Sequence, residues 1–218
     1  MIPRRTDDLI DALAADARPI QPLASPLKRA ALMLGLLVLG AGLALSFLGD
    51  WSQLRGRYAG REAMLVLEMS AMAATAVLAV VGAFFLSIPG RSRWWRLAPI
   101  PPFLLWLLLS GAGCYADFVR SGPLGRELGH SVDCLIFILA VSLFVGAPLI
   151  WRLSRALPID PVPVALLGGL GTAAASAFML QFFHPFAVTF LDLAVHVAAI
   201  GLVVGAAALI NRRALSPA

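Results

Sequence analysis

The chain has 218 residues, 60% of them hydrophobic and only 13% charged, with a formal net charge of +5 and a mean hydropathy of +0.88. That composition excludes an ordinary water-soluble globular domain. It also argues against direct nucleic-acid binding, because the Lys and Arg residues are dispersed between apolar runs rather than gathered on one face.

Residues 1–29 form a polar tail. Within it, Thr6-Asp7-Asp8-Leu9-Ile10-Asp11-Ala12-Leu13-Ala14-Ala15-Asp16-Ala17 predicts a short amphipathic helix. Thr6 can cap its N-terminus, and Asp7 and Asp8 complement the positive end of the helix dipole. Leu9 and Leu13, with Ile10 or Ala17, make one apolar face, while Asp7, Asp8 and Asp11 put acid elsewhere. Pro19 and Pro22 stop the helix, and Pro26 precedes Lys28-Arg29. A helix this short is marginal in water and wants a surface. An acidic polar face is repelled by an anionic lipid leaflet, so a basic protein partner fits better. The alternative is a solvated leader that only assists insertion; the charge pattern favours the partner.

Six apolar runs follow in a region covering residues 30–210: Ala30–Leu48, Ala63–Ile88, Ala98–Ala116, Val132–Trp151, Val162–Phe183 and Phe186–Ile210. Each has roughly the length of a bilayer-spanning helix. None alternates with a period of two, so the expected fold is an all-α membrane protein, a bundle of six transmembrane helices. The first run is too long for the apolar core of a signal peptide, and its leader carries too many aspartates, so cleavage is not expected.

Pro99, Pro101 and Pro102 place the start of the third helix after Pro102 or put proline in its first turn, while Pro148 should kink the fourth helix or end it early. His184-Pro185-Phe186 leaves room only for a tight antiparallel hairpin between the last two helices. Gly201/Gly205 and Gly171/Ala175 are small-xxx-small pairs that permit close packing, or dimerisation.

With the N-terminus inside, the inner segments carry twelve basic residues: Arg4, Arg5, Arg18, Lys28, Arg29, Arg91, Arg93, Arg96, Arg152, Arg155, Arg212 and Arg213. Five lie outside: Arg55, Arg57, Arg61, Arg120 and Arg126. The asymmetry predicts that the N-terminus and the C-terminal tail, residues 211–218, are both cytoplasmic. Trp51 and Tyr115 then mark outer helix ends and Trp94, Trp95 and Trp151 inner ones, whereas Trp106 sits mid-helix and reads as buried packing.

The Thr6-Asp7-Asp8-Leu9-Ile10-x-x-Leu13-Ala14 segment, its proline-containing spacer and the six runs resemble the negative regulator of sigma F family of bacterial membrane anti-sigma factors. Phe183-His184-Pro185-Phe186 and Asp192-Leu-Ala-Val-His196 are similar to its members as well. The resemblance implies an inner-membrane protein whose cytoplasmic tail holds an extracytoplasmic-function sigma factor inactive. It also implies that outer-side cysteines take part in a redox or heavy-metal stress response. Only Cys114 and Cys134 can carry that role here.

Topology counting independently puts both cysteines at the outer rim, in an oxidising compartment where a disulfide can persist. A bridge closing a loop of about 20 residues would contribute roughly 3 kcal/mol. The alternative is two buried thiols acting as small hydrophobes. Glu68 and Asp192 fall within the outer half of the bilayer, His196 near its middle, and His184 sits in the outer hairpin. Intramembrane ionisable residues mark sites or structural hydrogen-bond networks, and both readings stay open for these. Metal binding is left open: cysteine, histidine and carboxylate share a region, but no compact ligand spacing is present.

No enzymatic motif and no cofactor signature occurs in the chain. The leading reading is therefore a regulatory binding protein that partners a sigma factor and the lipid bilayer. The runner-up is an ion- or proton-coupled transporter using Glu68, Asp192 and His196, though no internal repeat supports it. A quinone-linked redox protein would need a second cysteine pair, and a haem protein a facing histidine pair.

Overall fold

The computed structural model describes residues 6–16, 22–49, 51–57, 59, 62–121, 128–156, 158–183 and 190–215. At some helical positions, among them 6, 7, 117, 128–134, 190–193 and 196, it describes the backbone alone. All the regular structure among these residues is helical: α1 Thr6–Ala15, α2 Pro26–Leu48, α3 Trp51–Arg57, α4 Glu62–Leu86, a 310 turn at Arg93–Arg96, α5 Ile100–Ser121, α6 Leu128–Ser154, α7 Pro161–Leu180 and α8 Phe190–Leu215.

Helix starts follow local chemistry. Pro26 occupies the first turn of α2, where its missing N–H costs nothing, and the Ser25 hydroxyl accepts a hydrogen bond from the Lys28 N–H at 3.4 Å. Lys28 and Arg29 thus lie inside the first turn of α2. The third apolar run starts with Pro101 and Pro102 in the first turn of α5, the second of the two expected arrangements. In front of α7, Asp160 makes no side-chain cap; its carboxylate accepts from Arg96 at 2.6 Å and ties the 310 turn to that helix start.

Of the two outcomes expected at Pro148, a kink or an early end, the second does not occur. Helix α6 does not end early at Pro148 but runs on to Ser154. Proline removes a single ladder bond, and flanking packing and capping can hold a membrane helix together across that gap. Short helix α3, between the first two long helices, was not expected from the apolar runs.

Five segments are long and apolar enough to cross a membrane: Pro26–Phe47, Ala63–Leu86, Arg93–Ala116, Leu135–Ser154 and Pro161–Leu180. Helix α8 has 26 residues, with a described apolar stretch at Val197–Ala206. Leu108, Leu143, Phe144 and Val38 point outward from the bundle. That large apolar perimeter is consistent with a multi-pass membrane protein.

Helix α7 is the hub, packed against α4, α6 and α8, while α4 also carries α2 and α5. Three apolar layers fill the bundle. At the end where α2 begins, Ala30, Met33, Val80, Phe84, Leu149, Leu153 and Val164 pack together. Met72, Trp106, Ala173, Ala177 and Ile200 form the middle layer, with Trp106 buried as expected. Ile138, Leu180 and Ala199 form a layer toward the opposite end.

The small residues used for close approach are on α7. A Cβ at Gly169 would stand 2.9 Å from the Val204 Cα, and one at Gly171 2.8 Å from a Val80 methyl. Cβ atoms at Gly201 and Gly205 would meet nothing within 4 Å, so that pair has no packing role among the described residues.

Candidate partner segment and buried polar sites

Helix α1 begins at Thr6 itself, and the side chains of Thr6 and Asp7 lie outside the described residues. Leu9, Ile10 and Leu13 are all exposed, Leu13 to 64% of its area. Asp8 and Asp11 are exposed as well, and α1 belongs to none of the helix pairs that build the bundle. Ile10 lies about 100° round the helix from Leu9, and Leu13 adjoins both at i+3 and i+4. The three form a small apolar patch bordered by carboxylates. An exposed patch of this kind on a marginal helix is suited to helix-in-groove docking.

From the middle of the bundle toward the end away from the start of α2, the face of α5 toward α4 presents Trp106, Ser110 and Cys114 at successive i+4 positions, all of them buried. The Ser110 hydroxyl donates to Glu68 Oε1 at 2.6 Å across α4 and α5, and Glu68 is only 6% exposed. Glu68 thereby becomes part of an interhelical polar tie. Cys114 lies one turn beyond Ser110 with 3% of its surface exposed. The Trp106 indole N–H, one turn the other way, has no hydrogen-bond partner among the described residues.

Cys134 is placed on the first turns of α6 by its backbone, and Asp192 and His196 on the first turns of α8. Their side chains, and His184 altogether, lie outside the described residues. Among the described residues, no group of three or more His, Cys, Asp and Glu could hold a metal ion.

Sequence reasoning missed Ser110, whose only signal was a hydroxyl ten residues into an otherwise leucine-rich helix. It also missed a hydroxyl ladder in the hub. Ser142 and Ser176 meet at 3.0 Å between α6 and α7, while Ser176 and Thr172 donate back to the carbonyls of Thr172 and Gly169. A third omission is Arg29, read as a topology-setting charge. It is 8% exposed, with its guanidinium 5.0 Å from the Phe84 ring centre.

The fold and these sites define a helical protein with the character of a multi-pass membrane protein, an exposed acidic N-terminal helix and no catalytic constellation among the described residues. The family described as negative regulator of sigma F matches residues 13–216, nearly the whole chain, and the chain belongs to that family. The match takes in the bundle and the end of α1 from Leu13 onward. No curated protein and no solved structure matches the chain. Family membership makes it a negative regulator of a sigma factor, and regulators of this kind are not normally enzymes.

Proposed function

We propose that this protein is an anti-sigma factor of the bacterial inner membrane. It holds an extracytoplasmic-function sigma factor through Thr6, Asp7, Asp8, Leu9, Ile10, Asp11 and Leu13. Its bundle crosses the bilayer six times with both termini in the cytoplasm, and it releases the partner on a redox or heavy-metal signal received outside by Cys114 and Cys134. The observation that carries the proposal is α1: an apolar patch exposed among carboxylates, joined to the first membrane helix through a proline-containing spacer. A partner with a basic groove would bury Leu9, Ile10 and Leu13, and Asp8 and Asp11 would steer the encounter.

The test is recovery of the sigma factor with the chain purified from native membranes. Replacing Leu9 and Leu13 together by Asp should abolish recovery without lowering the amount inserted, since each anchor of this kind is commonly worth more than ~1 kcal/mol. Asp8→Lys should weaken recovery through charge reversal. Undiminished recovery with the double leucine variant would exclude α1 as the main anchor.

A further inference from the structure

Arg29 stands in the first turn of α2, where the N-terminal segment joins the bundle. Its neighbour Lys28 is exposed, whereas Arg29 is buried, so its charge does more than mark the inner side of a membrane. One arm of the guanidinium donates to the Arg152 carbonyl of α6 at 2.8 Å, and the other reaches the Ser87 hydroxyl just beyond α4 at 3.5 Å. The plane rests against Phe84.

The last turn of a helix leaves carbonyls without intrahelical donors. In α6 the neighbouring carbonyls are served locally: the Ser154 hydroxyl donates to Trp151 and the Ala156 N–H to Leu153. Between them, the Arg152 carbonyl receives its bond from Arg29, 123 positions away in sequence. In α4 the equivalent carbonyls are covered at the helix end itself, Ala83 by the Ser87 N–H and Phe84 by the Ser87 hydroxyl. Arg29 therefore places a cation at the negative carboxyl ends of two helices and supplies a missing donor to one of them. Lysine could not do this in the same way, because a single ammonium lacks the flat two-armed fork.

We infer that Arg29 is a positioning residue for partner binding: it caps α6 from the root of the N-terminal segment, so the direction in which that segment leaves the bundle depends on how α6 packs. This rests on the reading that the segment holds the sigma factor. Ala30, next to Arg29, and Met33, one turn further along α2, pack in the same layer as Leu149 and Leu153 of α6. A shift of α6 along its axis therefore moves the Arg152 carbonyl and the packing around the start of α2 together. Helix α6 is also the helix whose opposite end carries Cys134.

The test is a double-mutant cycle on the full chain in lipid nanodiscs, reading affinity for the sigma factor recovered with the wild-type protein. Arg29→Gln should weaken binding at least about 5-fold, the lower end of ordinary coupling between sites. Leu153→Ala, which loosens α6 in the apolar layer it shares with α2, should change affinity in the wild-type background and have no further effect with Arg29→Gln. Arg29→Lys should lie between, since its ammonium can still reach the Arg152 carbonyl. If Arg29→Gln does not accumulate in the membrane, Arg29→Lys carries the same cycle. Unchanged affinity, or effects of the two sites that simply add, would overturn the inference and leave Arg29 a packing residue. The Leu9/Leu13 double Asp variant is the control for the premise: its undiminished binding would remove the tail reading and this inference with it, whereas additive effects with that control intact would remove the inference alone.

Discussion

Ser110 and Cys114 stand one helical turn apart on the same face of α5, both buried, and their different chemistry predicts different experiments. The Ser110 hydroxyl gives Glu68 a hydrogen bond inside the bundle, where such bonds between helices average about 0.6 kcal/mol and reach nearly 2. Ser110→Ala should therefore destabilise the reconstituted protein by about 1 kcal/mol in a detergent-denaturation titration. No loss of stability would show that Glu68 is satisfied without it. Cys114 poses the opposite problem, since a thiol with 3% of its surface exposed reacts only when α5 opens locally. Labelling by a bulky maleimide in intact membranes should be slow at Cys114 and complete in denaturant. If Cys114 and Cys134 form a sensing pair, the Ser variant of either should lose the stress response as fully as the double variant. A normal response in one single variant would separate the two thiols and end the paired-sensor proposal.

At the scale of elements, α7 shows why small residues matter in a bundle without a hydrophobic driving force between helices. Gly169 lets the backbone of α8 approach to a distance that a Cβ would block, and backbone cannot swing aside as a flexible side chain can. Gly169→Ala should cost about 1–3 kcal/mol by overpacking, measured in the same titration. Gly201→Ala, which meets open space, should be neutral or slightly stabilising through helix propensity. Equal effects at the two positions would mean that α7 and α8 do not pack as described. Much of this architecture was legible in advance, because apolar run length reports spanning helices directly and the proline clusters mark where α2, α5 and α7 begin. The glycine pairing was legible only in part. GxxxG at 201–205 is a pattern on one helix, whereas close approach depends on which face a neighbour occupies: on α7, Gly169 meets α8, and Gly171, already marked in the sequence beside Ala175, meets α4. The polar ties were hidden for the same reason: Glu68 was conspicuous as a charge in an apolar run, but its partner Ser110 is 42 positions away and carries no local signal. Pro148 misled because local propensity favours ending a helix there, while the packed and capped carboxyl end of α6 holds the helix through it.

For the whole molecule, the number of crossings and the side on which each end lies are one question. Five crossings would leave the termini on opposite sides of the bilayer, and six would return them to the same side. Five segments satisfy length and hydropathy outright, so the outcome turns on α8. At 1.5 Å per residue its 26 residues extend about 39 Å, longer than the hydrocarbon core of roughly 30 Å. It packs against α7 and α6 rather than standing apart, and a sixth crossing would put Arg212 and Arg213 at its end on the side where the charge asymmetry expects the basic residues. The expected result is that a reporter fused after Ala218 and one fused to Met1 give the same cytoplasmic signal, and that one inserted after Arg55 gives the opposite signal. A C-terminal reporter on the outer side would reduce the crossings to five and detach α8 from the membrane-spanning set. An N-terminal reporter on the outer side would be more damaging, because it would put α1 and the sigma factor in different compartments and end the anti-sigma mechanism proposed for this chain.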